Sequence, residues 1–180
     1  MPRCIAFLRA LNVGGHTVKM NHLKLMFESL GYANVETFIA SGNVIFTTKS
    51  APGPAMATKI EKKLLHELGY DVETFIRTDA EVASLAERVV FSAAEIASSH
   101  STYVGLLRES LSADAINALA TFNNETDSFR HQEKEIHFLT RIGMGASSFS
   151  NVKFEKQLGV PTTFRNINTM VRLARKYPPK

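Results

Sequence analysis

The hydrophobic positions of the chain fall into short blocks whose spacing switches between continuous, alternating and helical. Residues 4–11, CIAFLRAL, form an apolar run interrupted only by Arg9, which suits a strand buried on both faces. Met20 and Asn21 open a helix in which Leu23, Met26, Phe27 and Leu30 share one stripe, and Gly31 is placed to end it as a left-handed cap. Residues 35–40 and 44–48 are β-rich and flank Ser41-Gly42-Asn43, a hairpin turn. After the loop 50–54, residues 55–68 form a second amphipathic helix with Ile60, Leu64, Leu65 and Leu68 on one side and Gly69 as its cap. Residues 72–77 read as a strand, and Asp79 as the N-cap of a third helix over 80–89. The order β-α-β-β-α-β is the split βαβ pattern of a ferredoxin-like module, here followed by an extra helix.

The second half repeats this order. The pattern predicts a strand over 103–107, a helix over 113–122 capped by Ser112, and a strand pair, 128–132 and 136–140, around Glu133-Lys134-Glu135. A helix over 147–158 ends at Gly159, a short strand covers 162–165, and a last helix covers 169–177 with Asn168 or Thr169 as its cap. Thr74-Phe75-Ile76-Arg77 aligns with Thr163-Phe164-Arg165-Asn166, and Phe7-Leu8-Arg9 with Leu106-Leu107-Arg108, so the chain reads as a duplication. The expectation is an α/β (α+β) protein of two ferredoxin-like βαββαβ modules, 1–90 and 102–180, joined by the Ser/Ala-rich linker 91–101.

Composition adds a compartment and a charge asymmetry. The apolar fraction of 44% and charged fraction of 21% are those of a globular protein, and no run approaches the length of a membrane span. One cysteine, Cys4, excludes an internal disulfide and points to a reducing, cytoplasmic setting; its place in a buried strand makes it a packed thiol. Residues 141–180 carry eight Lys/Arg against one acid, a net +7, whereas the first 140 residues carry 13 bases against 16 acids, a net −3. The basic end is either a solvated helix face or a surface that concentrates anionic partners.

Three polar loops are the candidate chemistry. The loop 12–19, Asn-Val-Gly-Gly-His-Thr-Val-Lys, joins a strand to a helix: its glycines permit close backbone approach, the helix start offers free N–H groups, and Lys19 adds a cation. Either its glycines only serve the turn, or the loop holds an anion. It lacks the Gly-Lys-Ser/Thr ending of a Walker loop. Arg9 needs an acid or a pocket, because an unpaired buried guanidinium is costly. Gly143-Met144-Gly145-Ala146-Ser147-Ser148 is a second glycine loop leading into a helix that carries Lys153 and Lys156. The junction 162–169 gathers Arg165, Asn166, Asn168 and Thr169. The six histidines form no close pair on one helix face, so no metal site and no cofactor motif is read. There is no Gly-x-Ser-x-Gly elbow, and Ser41 serves the turn that contains it. Phe38, Phe46, Phe75, Phe129 and Phe138 alternate as core residues rather than as an RNA-stacking platform.

The segment AFLRALNVGGHTVKMNHLKLMFESLGYANVETFIASGNVIF resembles the N-terminal signature of DUF1697, a family of unknown function, and GVPTTFRNINTMVRLA is similar to its C-terminal signature. The resemblance implies a bacterial-type cytosolic protein with two ferredoxin-like halves and implies no activity. Two positions depart from the family pattern: His16 stands where a lysine is expected and Ile167 where a tryptophan is usual. The functional expectation is a small anionic or phosphorylated ligand, bound between the modules by Arg9, Asn12, Gly14, Gly15, Lys19, Ser41, Asn43, Arg165, Asn166, Asn168 and Thr169. The alternatives are a nucleic-acid-associated module using the basic C-terminal region, and a protein-interaction or structural role. The sequence fixes neither a reaction nor an oligomeric state.

Overall fold

The unbroken apolar runs become the inner strands of two antiparallel sheets. The computed structural model describes residues 1–40 and 42–180; Ser41, and the turn role read for it, lie outside the described residues. The chain divides into two units, one of Met1–Leu85 with Arg172–Lys180, the other of Ala86–Val171.

The first sheet has the order β2-β3-β1-β4, formed by β1 (Arg3–Leu8), β2 (Ala33–Phe38), β3 (Asn43–Thr47) and β4 (Thr74–Thr78). Helices α1 (Met20–Ser29) and α2 (Pro54–Leu68) bury Leu23, Met26, Phe27, Ile60 and Leu64 in one core with Cys4, Ala6, Leu8, Val44 and Phe46. The alternate residues Ile5, Phe7, Ile45 and Phe75 are also buried, so the sheet has no wet face at its centre. That is why β1 and β3 read as continuous rather than alternating runs. α3 (Asp79–Glu87) follows β4 directly.

The second unit repeats the plan. After α4 (Ala93–Ala97), strands β5 (Ser101–Leu106), β6 (Asp127–Gln132), β7 (Glu135–Thr140) and β8 (Thr163–Asn166) pair in the order β6-β7-β5-β8. Helices α5 (Ala113–Ala120) and α6 (Asn151–Leu158) pack Ala115, Leu119, Phe154 and Leu158 against Phe129, Ile136 and Phe138. α7 (Ile167–Lys176) follows β8 directly. The duplicated ferredoxin-like architecture, each half followed by an extra helix, is therefore present.

Four local expectations change. The N-cap of α3 is Thr78 rather than Asp79: the Thr78 hydroxyl accepts from the Glu81 N–H at 3.1 Å, and the Glu81 carboxylate accepts from the Thr78 N–H at 2.7 Å, a capping box. The last helix starts at Ile167, and the Asn166 Oδ1 that accepts from the Asn168 N–H at 2.9 Å does the work expected of Asn168 or Thr169. α6 starts at Asn151 rather than 147, because residues 143–147 close a turn through Ala146 and Ser147 N–H groups bonded to the Gly143 carbonyl. Segment 91–101 holds α4, whose Ser92 and Glu95 form another capping box.

The register of the repeat also moves by one residue. Ile5 pairs with Arg77 and Phe7 with Phe75, while Val104 pairs with Arg165 and Leu106 with Thr163. With β1 and β5 superposed by their pairing, Arg165 corresponds to Arg77, not to Ile76. Alignment on the Thr-Phe pairs follows identity; the sheet follows which face each side chain takes.

Gly42 ties β1 to the hairpin. Its carbonyl accepts from the Leu8 N–H at 2.8 Å, its φ is +74°, and a Cβ there would stand 3.1 Å from the Leu8 Cβ. Gly42→Ala is expected to lower the unfolding free energy by about 2–4 kcal/mol, from left-handed strain plus overpacking. Gly31→Ala, with φ +86° but open space around it, is expected to lose only about 1 kcal/mol. Urea denaturation of the two variants compares them; equal losses would show that the Leu8 contact contributes nothing.

Candidate functional site

The first unit assembles its polar loop at the end of β1. Leu11 and Val18 are buried anchors, and residues 12–17 between them are exposed. Asn12 closes this excursion at its base. Its Oδ1 accepts from the Val18 N–H at 2.8 Å, and its Nδ2 donates to the Ala40 carbonyl at 3.2 Å. A short-range amide that bonds its own loop is what asparagine does in turns; here it also fastens the loop to the hairpin. Tyr70 adds a third tie, its hydroxyl donating to the Leu11 carbonyl at 2.8 Å. The His16 ring lies on the Tyr70 ring with centroids 3.9 Å apart and planes 22° from parallel.

Gly14 and Gly15 adopt φ of +65° and +86°, with no atom within 4 Å of where a Cβ would stand. The loop ends at Lys19, the exposed N-cap residue of α1. The N-cap residue makes no side-chain cap bond, as a lysine has no acceptor to offer, and the first turn carries no acid. The free N–H groups and partial positive charge of the helix start are therefore not met by an acid of the helix's own first turn. Backbone strain gathers around the same place: Ala10 has φ +56° and the β-branched Ile39 φ +51°. For an isoleucine this is a true outlier, worth on the order of 1–3 kcal/mol.

Two other predicted site residues carry structural duties. Arg9 donates to the Glu73 carboxylate at 2.9 Å, which answers its need for an acid. Asn43 is fully buried and donates to the Phe38 carbonyl at 3.0 Å, knitting the β2–β3 hairpin.

In the second unit Arg165 is 9% exposed and donates to Thr163 Oγ1 at 2.8 Å and to the Phe164 carbonyl at 3.0 Å. Burial brings its pKa down to about 10. Arg77, its counterpart, is likewise buried and donates to the Ile76 carbonyl at 2.9 Å. Nothing in the residue pattern singles out Arg77; only the corrected register does. Asn166 caps α7, Asn168 is exposed and Thr169 is half-buried. These four lie close together at the β8–α7 junction of their own unit.

The basic end is partly engaged within the first unit. Arg172 and Lys176 lie over the Phe38 ring at 5.2 and 5.8 Å, and Lys176 is 3.5 Å from the Glu36 carboxylate. Tyr177 donates to Glu36 at 2.7 Å, and this bond, ahead of the Lys176 charge, lowers the Glu36 pKa. The five phenylalanines set aside as core are buried. Burial, ahead of the charges of Asp79 and Glu81, pushes the Cys4 thiol up to about 11, which makes it a packing group. Among the described residues no three His, Cys, Asp or Glu side chains gather as metal ligands, and no helix is long and apolar enough to cross a membrane.

Two four-stranded sheets built on one plan, each with helices against one face, define a duplicated α/β protein. The chain belongs to the family described as a protein of unknown function (DUF1697), whose model matches residues 1–137. Among solved structures it is similar to the conserved bacterial protein SP0830 from Streptococcus pneumoniae, with 20% identity, 98% of each chain covered and a TM-score of 0.70. At that identity the likeness establishes the fold. No curated protein matches the chain.

Histidine 137 gives this fold a pH dependence. It stands on β7 between Val104 and Arg130, 4% exposed, with Nε2 unbonded. Burial, then the charges of Arg88 and His131, bring its pKa from 6.5 down to about 4. The unfolded chain therefore takes up this proton first as pH falls. The associated stability is complete above about pH 6.5 and is lost on the way down to about pH 4, on the order of 3 kcal/mol. Urea denaturation across this range should show that loss in the wild type relative to His137→Leu; parallel curves would remove the assignment.

Proposed function

We propose that the chain binds a small anionic ligand, through a phosphate or carboxylate group, at loop 12–19 and the start of α1. The observation that carries this reading is a ten-residue helix whose first turn has neither a side-chain cap nor an acid, preceded by an exposed glycine pair and Lys19. An anion placed there meets N–H donors and the positive end of the helix dipole together. Support comes from the strain at Ala10 and Ile39, since such conformations persist where a site needs them. Asn12 positions the loop through its two bonds, and Arg9 and Asn43 hold the strand end and hairpin beneath it. The reading rests on the first unit. Arg165 contributes no exposed charge to it, and no reaction is proposed.

The test is a thermal-shift and calorimetric titration of the full chain with inorganic phosphate, pyrophosphate and a nucleoside monophosphate at low salt. A ligand that binds the folded state alone raises stability by about 2.7 kcal/mol at a hundred times its Kd. Lys19→Ala is expected to weaken binding roughly fivefold, as an exposed charge does, and added salt to weaken it further. Absence of any shift at millimolar anion, or binding indifferent to Lys19→Ala, removes the site.

A further inference from the structure

The second unit contains a cavity of about 340 Å³, bounded by the end of α5, the start of β6 and the segment leading into α6. That volume is at the small end of metabolite pockets. Its apolar lining is Phe122, Phe129 and Phe149; its polar lining includes Asp127, Ser148 and Lys153. The rings belong to one aromatic cluster, with Phe129 stacked on Phe138 at 4.4 Å and Phe149 5.6 Å from Phe129. The wall is thus fixed by the core of the unit.

Asp127 is the unusual member. It is 1% exposed. One carboxylate oxygen accepts from the Ser147 hydroxyl at 2.6 Å, and the other has no hydrogen-bond partner. Thr140, opposite Asp127 in the β6–β7 pair, does not supply the missing bond, because its own buried hydroxyl is also unpartnered. A buried acceptor left unmatched costs roughly 1–3 kcal/mol, more when it is charged. A donor that reaches this oxygen from the cavity, as a small opening of the wall allows, recovers that cost. On the other side, Lys153 is exposed and in no ion pair among the described residues, and the N-cap of α6, Ser150, makes no side-chain cap bond. The cavity therefore offers an acceptor for a cation, a cationic rim with free helix-start N–H groups for an anion, and aromatic rings between.

We propose that this cavity binds a free aromatic amino acid or a close zwitterionic analogue. The ammonium group donates to Asp127 and lies near the ring faces that attract it. The carboxylate takes Lys153 and the α6 start. The side chain packs on Phe122, Phe129 and Phe149. The site belongs to the second unit alone, so its failure and that of the loop 12–19 reading are separable.

The experiment is a ¹H–¹⁵N NMR titration of the full chain with L-phenylalanine, with phenethylamine, which lacks the carboxylate, and with hydrocinnamate, which lacks the ammonium. L-phenylalanine is expected to give saturable shifts at the amides of Asp127 and of residues 148–153. Each truncated probe should bind about tenfold more weakly, the loss of one charge-assisted hydrogen bond. Lys153→Glu, an exposed substitution that leaves the core intact, should weaken L-phenylalanine by a similar factor and spare phenethylamine. Asp127→Asn should remove the preference for an ammonium; because Asp127 also holds Ser147, the Lys153 variant carries the test if that chain does not fold. No saturable shift at those amides, equal affinity for the three probes, or an unchanged L-phenylalanine affinity in Lys153→Glu overturns the proposal.

Discussion

Burial of both faces at the centre of each four-stranded sheet is the constraint on which the rest of the structure depends. A sheet with one wet face could place its polar side chains there freely. Here Ile5, Phe7, Ile45 and Phe75 fill the face opposite the helices in the first unit, and Val104, Leu106 and Leu139 do so in the second. A polar group on such a face must find its partners inside the protein. Arg77 and Arg165 meet this in one way, each donating to the carbonyl of the residue before it in its own strand. Glu135 meets it by accepting from Arg88 at 3.2 Å. His137 meets it by staying neutral. The same constraint explains why the loops and edge strands carry the solvated polar chemistry: the inner strands have no room for it.

The architecture was largely legible because its signals are periodic. Continuous runs marked the inner strands, stripes of Leu and Ile marked the helices, and Gly31, Gly69 and Gly159 marked helix ends with positive φ. Boundaries were less legible where side chains compete for the same backbone donors. Asp79 read as the cap, and only the reciprocal bonds between Thr78 and Glu81 move the cap to Thr78. The off-by-one register had a similar origin, since two adjacent threonine–phenylalanine pairs attract an alignment that strand pairing forbids.

The polar loops of the candidate site were legible as loops, and the bonds each side chain makes within them were not. The Asn-Val-Gly-Gly loop announced itself by composition, but nothing local said that Asn12 would clamp it to residue 40 or that His16 would rest on Tyr70. Those contacts join residues dozens of positions apart. Arg9 was read as needing an acid or a pocket and Asn43 as a site residue; the first is in an ion pair with Glu73 and the second is a hairpin strut. Asp127 carried no signal at all, because a single acid at the start of a strand becomes unusual only when its surroundings leave one oxygen unmatched. The two halves thus share a backbone plan and differ in polar equipment, as expected of duplicated modules whose cores are held by packing while their loops are not.

The return of residues 172–180 to the first unit bears on how the chain is made. The second unit is one uninterrupted stretch, whereas the first is interrupted by it. During synthesis the N-terminal sheet emerges early but lacks the partners that finish it: Arg172 and Lys176 over Phe38, Tyr177 on Glu36, and the Pro178 carbonyl on Arg3. Folding as units from the N-terminus then leaves the half made first to close last. Until that closure, the ring of Phe38 and the carboxylate of Glu36 are open to whatever the emerging chain meets.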